Sequence, residues 1–219
     1  MNQQSSLWQD AWRRLLANKA AVAGGSILCL FITLAIFAPW IAPHSYSYQN
    51  LDLGPQPPSL DFLLGTDVLG RDLFSRILYG ARVSLMVGFV ATAVALVIGV
   101  SWGMIAGYFG GRVDSIMMRI VDVLYGLPFI IFIILLMVIF GRNIWLLFGA
   151  IGAVEWLTMA RIVRGQVLTI KTQEYVLAAQ AMGVSNFQMF RKHIFPNILG
   201  PIAVYATLTI PQVMLLEAF

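Results

Sequence analysis

Charge is scarce in this chain. Of 219 residues, 14 are Lys or Arg and 10 are Asp or Glu, 11% in all, against roughly a quarter in soluble domains. With 59% hydrophobic residues, that scarcity excludes an ordinary soluble domain and points to the membrane. Cysteine is scarcer still. The one cysteine, Cys29, lies inside an apolar run, so neither a disulfide framework nor a cysteine metal site is available. None of the three lysines, Lys19, Lys171 and Lys192, follows a glycine, and no G-x-x-x-x-G-K-[ST] occurs. A phosphate-cradling loop of the nucleotide-hydrolysing kind is thereby excluded. Metal-ligand clusters, a nucleophile elbow and paired catalytic carboxylates are missing too, so the chain is expected to hold no catalytic residue, metal or cofactor of its own.

What the sequence has instead is long apolar runs. Five approach or exceed the ~20 residues a helix needs to cross a bilayer: 20–43, 83–111, 123–141, 143–160 and 194–216. The expected fold is all-α, a polytopic helical membrane bundle. Arg13, Arg14 and Lys19 precede the first run as they would in a signal peptide. The run is longer than the 7–15 residues of a signal h-region, however, and Pro39 follows Ala38 where cleavage would fall. An uncleaved first helix is expected.

Short cytoplasmic loops collect Lys and Arg. Arg13, Arg14 and Lys19 against Asp10 place the N-terminus in the cytoplasm. Residues 44–82, with three Arg against four Asp, then fall outside. Arg112 and Arg119 fall inside, Arg142 outside, and Arg161, Arg164, Lys171, Arg191 and Lys192 inside. Topology alone therefore explains the net charge of +4, without a nucleic-acid partner.

Four segments follow. Residues 1–19 form an amphipathic cytoplasmic arm, with Leu7, Trp8, Trp12 and Leu15 suited to the headgroup region. Residues 20–43 form the first transmembrane helix. Residues 44–82 form an external loop, rich in Pro, Tyr and Asp, that ends in an interfacial helix carrying Leu73, Ile77, Leu78 and Val83. Asp61, Asp67 and Asp72 in this loop lack calcium-loop spacing and suit turns and caps. Residues 83–219 form the core, interrupted at 161–196 by a polar, cationic cytoplasmic loop.

That loop has the chemistry of two short helices meeting at a glycine. Thr172 can cap the first, with Glu174 near its positive end. Tyr175, Ala178, Ala179 and Met182 make one small-to-apolar face. Gly183 supplies the turn, and Ser185 with Gln188 forms a capping box for the second helix. That helix carries Phe187, Phe190 or Arg191, and Ile194 on one side. Pro196 is expected to end it.

Gly99, Gly103, Gly107 and Gly111 recur every four residues, a stripe along which another helix can approach closely in lipid. In the last run Asn197 can cap, Pro201 falls in the first turn, and Pro211 is expected to kink the helix. Charges in or near a membrane are functional candidates. Asp122 has Arg119 on its own helical face and is expected to pair with it. Glu155 can pair with or snorkel toward Arg161, or can face a water-filled pathway. Glu217 sits where the last helix exits.

The loop resembles the cytoplasmic loop of permease subunits of bacterial ABC importers, E-A-A-x-x-x-G-x9-I-x-L-P. Ala178, Ala179, Gly183 and Pro196 match it, while Leu177, His193 and Phe195 stand at the Glu, Ile and Leu positions. These departures fit the peptide and nickel branch, whose pattern is similar to EYVLAAQAMG and RKHIFPN here. LGTDVLGRD, RILYGARVSL, AGYFGGRVDSIMMRIVD and MARIVRGQVL resemble the same branch, so the likeness covers nearly all residues from 7 to 219. Closest in character is the C-type permease subunit of oligopeptide and dipeptide importers.

The resemblance implies a type I ABC importer permease-like bundle, with five spans visible and a sixth expected, in the bacterial cytoplasmic (inner) membrane. It implies a homologous second permease, two cytoplasmic ATPases that use ATP and magnesium, an external peptide-binding protein and surrounding lipid. The loop residues Glu174, Tyr175, Ala178, Ala179, Gly183, Ser185, Phe187, Arg191 and Pro196 would dock on an ATPase. Two other readings stay open on the sequence, a nickel-importer permease and an ion-coupled secondary transporter using Asp122 and Glu155. A DNA-binding helix-turn-helix is disfavoured, because a loop of 36 residues (161–196) pinned at both ends to a bilayer leaves little room to enter a major groove.

Overall fold

A computed structural model of the chain describes residues 7–141 and 143–217. Arg142 and Phe219, and the side chains of Leu7, Trp8 and Asp10, lie outside the described residues. Among the described residues the structure is helical, with one isolated bridge between Thr66 and Asp72. It forms two compact units, residues 1–85 and 86–219.

In the first unit α1 (Leu7–Ala17) is followed by α2 (Lys19–Ile41). The Asn18 side chain accepts from the N–H groups of Ala20 and Ala21 at 3.1 and 3.2 Å, so α2 begins where two unpaired donors are satisfied. Ile27, Leu28, Phe31, Phe37 and Trp40 lie exposed on α2, as side chains facing lipid would. The loop after it is organised by two carboxylates. Asp67 accepts from the N–H groups of Leu69 and Arg71 and from the Arg71 and Arg76 guanidiniums. Partial burial alone would raise this carboxyl, but the hydrogen bonds and the Arg71 charge outweigh it and bring it to about 2. Asp72 stands just before α3 and accepts from the Ser75 N–H and hydroxyl at 2.9 and 2.5 Å.

α3 runs unbroken over Leu73–Phe109. The residues expected to lie as a separate interfacial helix are therefore the first turns of the second span, since no proline or left-handed glycine interrupts them. In the second unit, Gly99, Gly103 and Gly107 bring α3 against α6 (Ile144–Lys171). A Cβ added at Gly99 would lie 2.8 Å from the Trp156 carbonyl, one at Gly103 2.8 Å from Val163, and one at Gly107 2.9 Å from Val167. Gly152 answers from α6, fitting against Val94 and the Ala91 carbonyl. Gly111 departs from the expected stripe. It follows the end of α3, has φ +53°, and a Cβ there would meet nothing within 4 Å; together with Gly110 it turns the chain into α4 (Gly111–Tyr125).

The run expected at 123–141 is divided. α4 ends at Tyr125, Gly126 and Leu127 form a bend, and α5 (Phe129–Phe140) starts only after Pro128. The residue preceding a proline is pushed away from helical geometry. With 12 residues, α5 is about 18 Å long, less than the ~30 Å hydrocarbon core. The run 143–160 becomes the first part of α6. Among the described residues three helices are long and apolar enough to cross a membrane: Lys19–Ile41, Leu73–Phe109 and Asn186–Glu217.

The last of these corrects the expectation at Pro196. After α7 (Glu174–Ala181), α8 (Asn186–Gln188) passes through a π turn, Met189–Ile194, directly into α9 (Phe195–Glu217). The widened turn gives the Pro196 ring room beside the preceding carbonyls, so the helix continues where a regular α-turn would clash. Asn197 does not cap. Its amide donates back to the His193 carbonyl at 2.6 Å.

Candidate functional site

The polar loop between α6 and α9 rests on the main core of the second unit. Met159, Val163, Val167 and Ile170 of α6 pack with Val176 and Ala179 of α7, Met189 and Ile194 of the π turn, and Ile198 and Ile202 of α9. The loop and the apolar helices at its two ends thus share one hydrophobic cluster.

Between α7 and α8 the chain closes in a Schellman motif. The Gly183 N–H donates to the Gln180 carbonyl at 2.9 Å and the Val184 N–H to the Ala179 carbonyl at 3.2 Å. Gly183 has φ +77°, the left-handed conformation this ending requires, and Val184 completes it by packing on the Ala179 cluster. The Ser185 hydroxyl accepts from the Gln188 N–H at 3.5 Å, the long half of the expected capping box.

Thr172 does not cap α7. Its hydroxyl donates to the Thr169 carbonyl at 2.9 Å, and Gln173 holds the cap position without a side-chain bond. Glu174 stands in the first turn of α7. The small-to-apolar face of α7 is divided between core and surface. Val176 and Ala179 are buried, while Tyr175, Ala178 and Met182 are exposed. Ser185, Phe187, Arg191 and Pro196 are exposed as well. Met182 at 78% and Phe187 at 72% exposure, with Leu177 at 50%, leave an apolar tip above the buried Val176 and Met189. Apolar side chains so exposed outside the apolar spans suit a partner surface.

Three contacts that sequence spacing did not indicate fasten the loop. The Tyr108 hydroxyl donates to Asn186 Oδ1 at 2.7 Å. Lys171 Nζ donates to the Tyr108 carbonyl at 2.6 Å. The Phe190 ring lies 4.5 Å from that of Tyr108. A second set joins α4 to α6: the Arg164 guanidinium donates twice to Asp114, at 2.5 and 2.6 Å, and Arg161 donates to Asp122 at 2.7 Å while its guanidinium lies 4.3 Å from the Tyr125 ring centre. The expected pairing of Asp122 with Arg119 is thereby corrected, and of the readings open for Glu155 a pairing with Arg161 is not the one formed. Arg161 reaches across to α4 because a carboxylate and an aromatic ring on a neighbouring helix both suit its planar, charged guanidinium.

Glu155 is 7% exposed and lines a cavity of about 340 Å³ with Thr158, Gln212, Tyr125 and a set of apolar side chains. Among the described residues, no group of three or more His, Cys, Asp or Glu comes together to hold a metal.

Several apolar helices of membrane length in one helical chain define a polytopic helical membrane protein. Residues 99–219 match the family described as binding-protein-dependent transport system inner membrane component, and residues 6–58 match the N-terminal transmembrane domain of oligopeptide transport permease C. The chain belongs to this family of oligopeptide and dipeptide ABC permeases. It is 50% identical to the dipeptide transport system permease protein DppC of Bacillus subtilis over 98% of this chain and 67% of the relative. It is 48% identical to the oligopeptide transport system permease protein OppC of the same organism, over 98% of this chain and 70% of the relative. Against OppC of Haemophilus influenzae the identity is 46%, again over 98% and 70%.

Proposed function

We propose that this chain is the transmembrane permease subunit of an ATP-driven peptide importer in the bacterial inner membrane, and that the loop at 161–196 couples it to an ATPase. Of the five crossings in this reading, α2, α3 and α9 have the length and apolarity to span alone, and α5 with the first part of α6 would supply the other two, leaving the N-terminus and this loop in the cytoplasm. It forms part of the translocation path beside a homologous second permease, and an external binding protein delivers the peptide. Two ATPase subunits bind ATP and magnesium and supply the energy. The relatives named for dipeptide and oligopeptide transport support peptide over nickel as the cargo. The engagement of Asp122 by Arg161 removes one of the two carboxylates an ion-coupled mechanism would need free.

The observation that carries the coupling role is the build of the loop. Leu177, Met182 and Phe187 stand exposed, while Val176, Ala179 and Met189 beneath them belong to the same cluster as α6 and α9. A push on the tip is therefore passed to two membrane helices as a rigid-body movement, which a floppy loop would absorb. The test is disulfide cross-linking of Phe187→Cys, in a Cys29→Ala background, to cysteines placed on the ATPase. A cross-link whose yield changes with the nucleotide state supports coupling, and a tip that never reaches the ATPase in an active complex refutes it.

A further inference from the structure

We infer that Glu155 receives the protonated amino terminus of the transported peptide. The inference rests on the peptide-importer reading and concerns the cavity that Glu155 lines with Tyr125, Thr158 and Gln212. Ionised carboxylates in a membrane interior need a compensating cation or a set of donors. Among the described residues no cation pairs with Glu155, because the nearest basic group along α6, Arg161, is engaged by Asp122 and stacked on Tyr125. An arriving ammonium supplies what is missing.

The surroundings suit that ligand. Thr158 lies one helical turn from Glu155 on the same face, and its hydroxyl offers an acceptor. The Gln212 amide oxygen offers another from α9. A volume of about 340 Å³ is at the lower end for small-molecule sites. It holds the end of a peptide rather than a long chain. An amino terminus is also the feature that unmodified peptides share whatever their side chains, so one carboxylate here can serve cargo of many sequences.

The experiment uses the complete complex, both permeases with both ATPases, in lipid nanodiscs. This chain carries Cys29→Ala and a reporter, Ala153→Cys, at the exposed wall of the cavity. Maleimide labelling of the reporter is timed with alanyl-alanine amide or its N-acetyl derivative present at millimolar concentration. The free amine should slow labelling at least fivefold, the acetylated peptide less than twofold, and Glu155→Gln should remove the protection by the free amine. Equal protection by both peptides, protection that survives Glu155→Gln, or no protection by either overturns the inference. A parallel assay of ATP-driven dipeptide uptake by the same reporter complex keeps the two claims apart. Uptake without amine-specific protection sinks the role of Glu155 alone, whereas absence of uptake by the wild-type complex sinks the importer reading.

Discussion

The Tyr108 hydroxyl donates to Asn186 Oδ1 at 2.7 Å across 78 positions of sequence. It ties the last turn of α3 to the first residue of the helix that leaves the loop. Tyr108→Phe keeps the ring against Phe190 and removes only this bond. A loss of about 1 kcal/mol is expected, read as a lower melting temperature of the purified complex. Asn186→Ala should cost about the same, and the double variant no more than either single change.

Gly183 and Gly70 both hold left-handed backbone, at φ +77° and +67°. A Cβ at Gly183 meets nothing within 4 Å, so Gly183→Ala meets backbone strain alone, about 1 kcal/mol. At Gly70 a Cβ would also run into the Asn50 backbone. Gly70→Ala should therefore lower stability distinctly more than Gly183→Ala in the same thermal assay.

The close approach of α3 to α6 gives a sharper contrast. Gly103→Ala places a Cβ 2.8 Å from Val163 Cβ and 2.9 Å from the Arg164 nitrogen, where backbone has to shift. A loss of about 1–3 kcal/mol and a reduced folded yield are expected. Gly149→Ala, on the exposed side of α6 with nothing within 4 Å, should be neutral or stabilising by up to about 1 kcal/mol.

The Arg164–Asp114 pair is bidentate but its arginine side chain remains 35% exposed. A double-mutant cycle with Arg164→Ala and Asp114→Ala should give a coupling of about 0.5–1 kcal/mol. Raising the salt concentration should shrink it.

Asp67 is held at about 2 in the folded loop, below the ordinary 3.8. A depressed carboxyl stabilises the fold above the unfolded value and loses that effect as pH falls through the folded one. Hydrogen exchange of residues 66–76, corrected for intrinsic rates, should speed up between about pH 4 and pH 2. Asp67→Asn should exchange fast already at neutral pH and show little of that dependence.

Much of this was legible along the chain where the governing geometry is local. A four-residue glycine spacing marks a close helix approach, and a glycine between two short apolar patterns marks a turn. What escaped were effects carried by other helices. Arg119 lies on Asp122's own face, yet Arg161, 39 positions later, makes the bond. Pro196 carries a local signal to stop, and the π turn before it overrides that signal. Tyr175, Ala178, Ala179 and Met182 share one face by periodicity, and only the packing of α6 against α7 decides that Ala179 is buried with Val176 while the other three stay exposed. The cavity beside Glu155 draws on residues from 124 to 212, and no spacing within one helix could have gathered them.

The most direct test of the central claim is uptake of a labelled dipeptide by the complete complex in proteoliposomes, supplied with the binding protein and ATP. Uptake should cease with vanadate or when the ATPase subunits are left out, and should persist when ionophores collapse the ion gradients. Uptake that survives vanadate and fails with the ionophores would contradict the assignment of this chain to an ATP-driven importer.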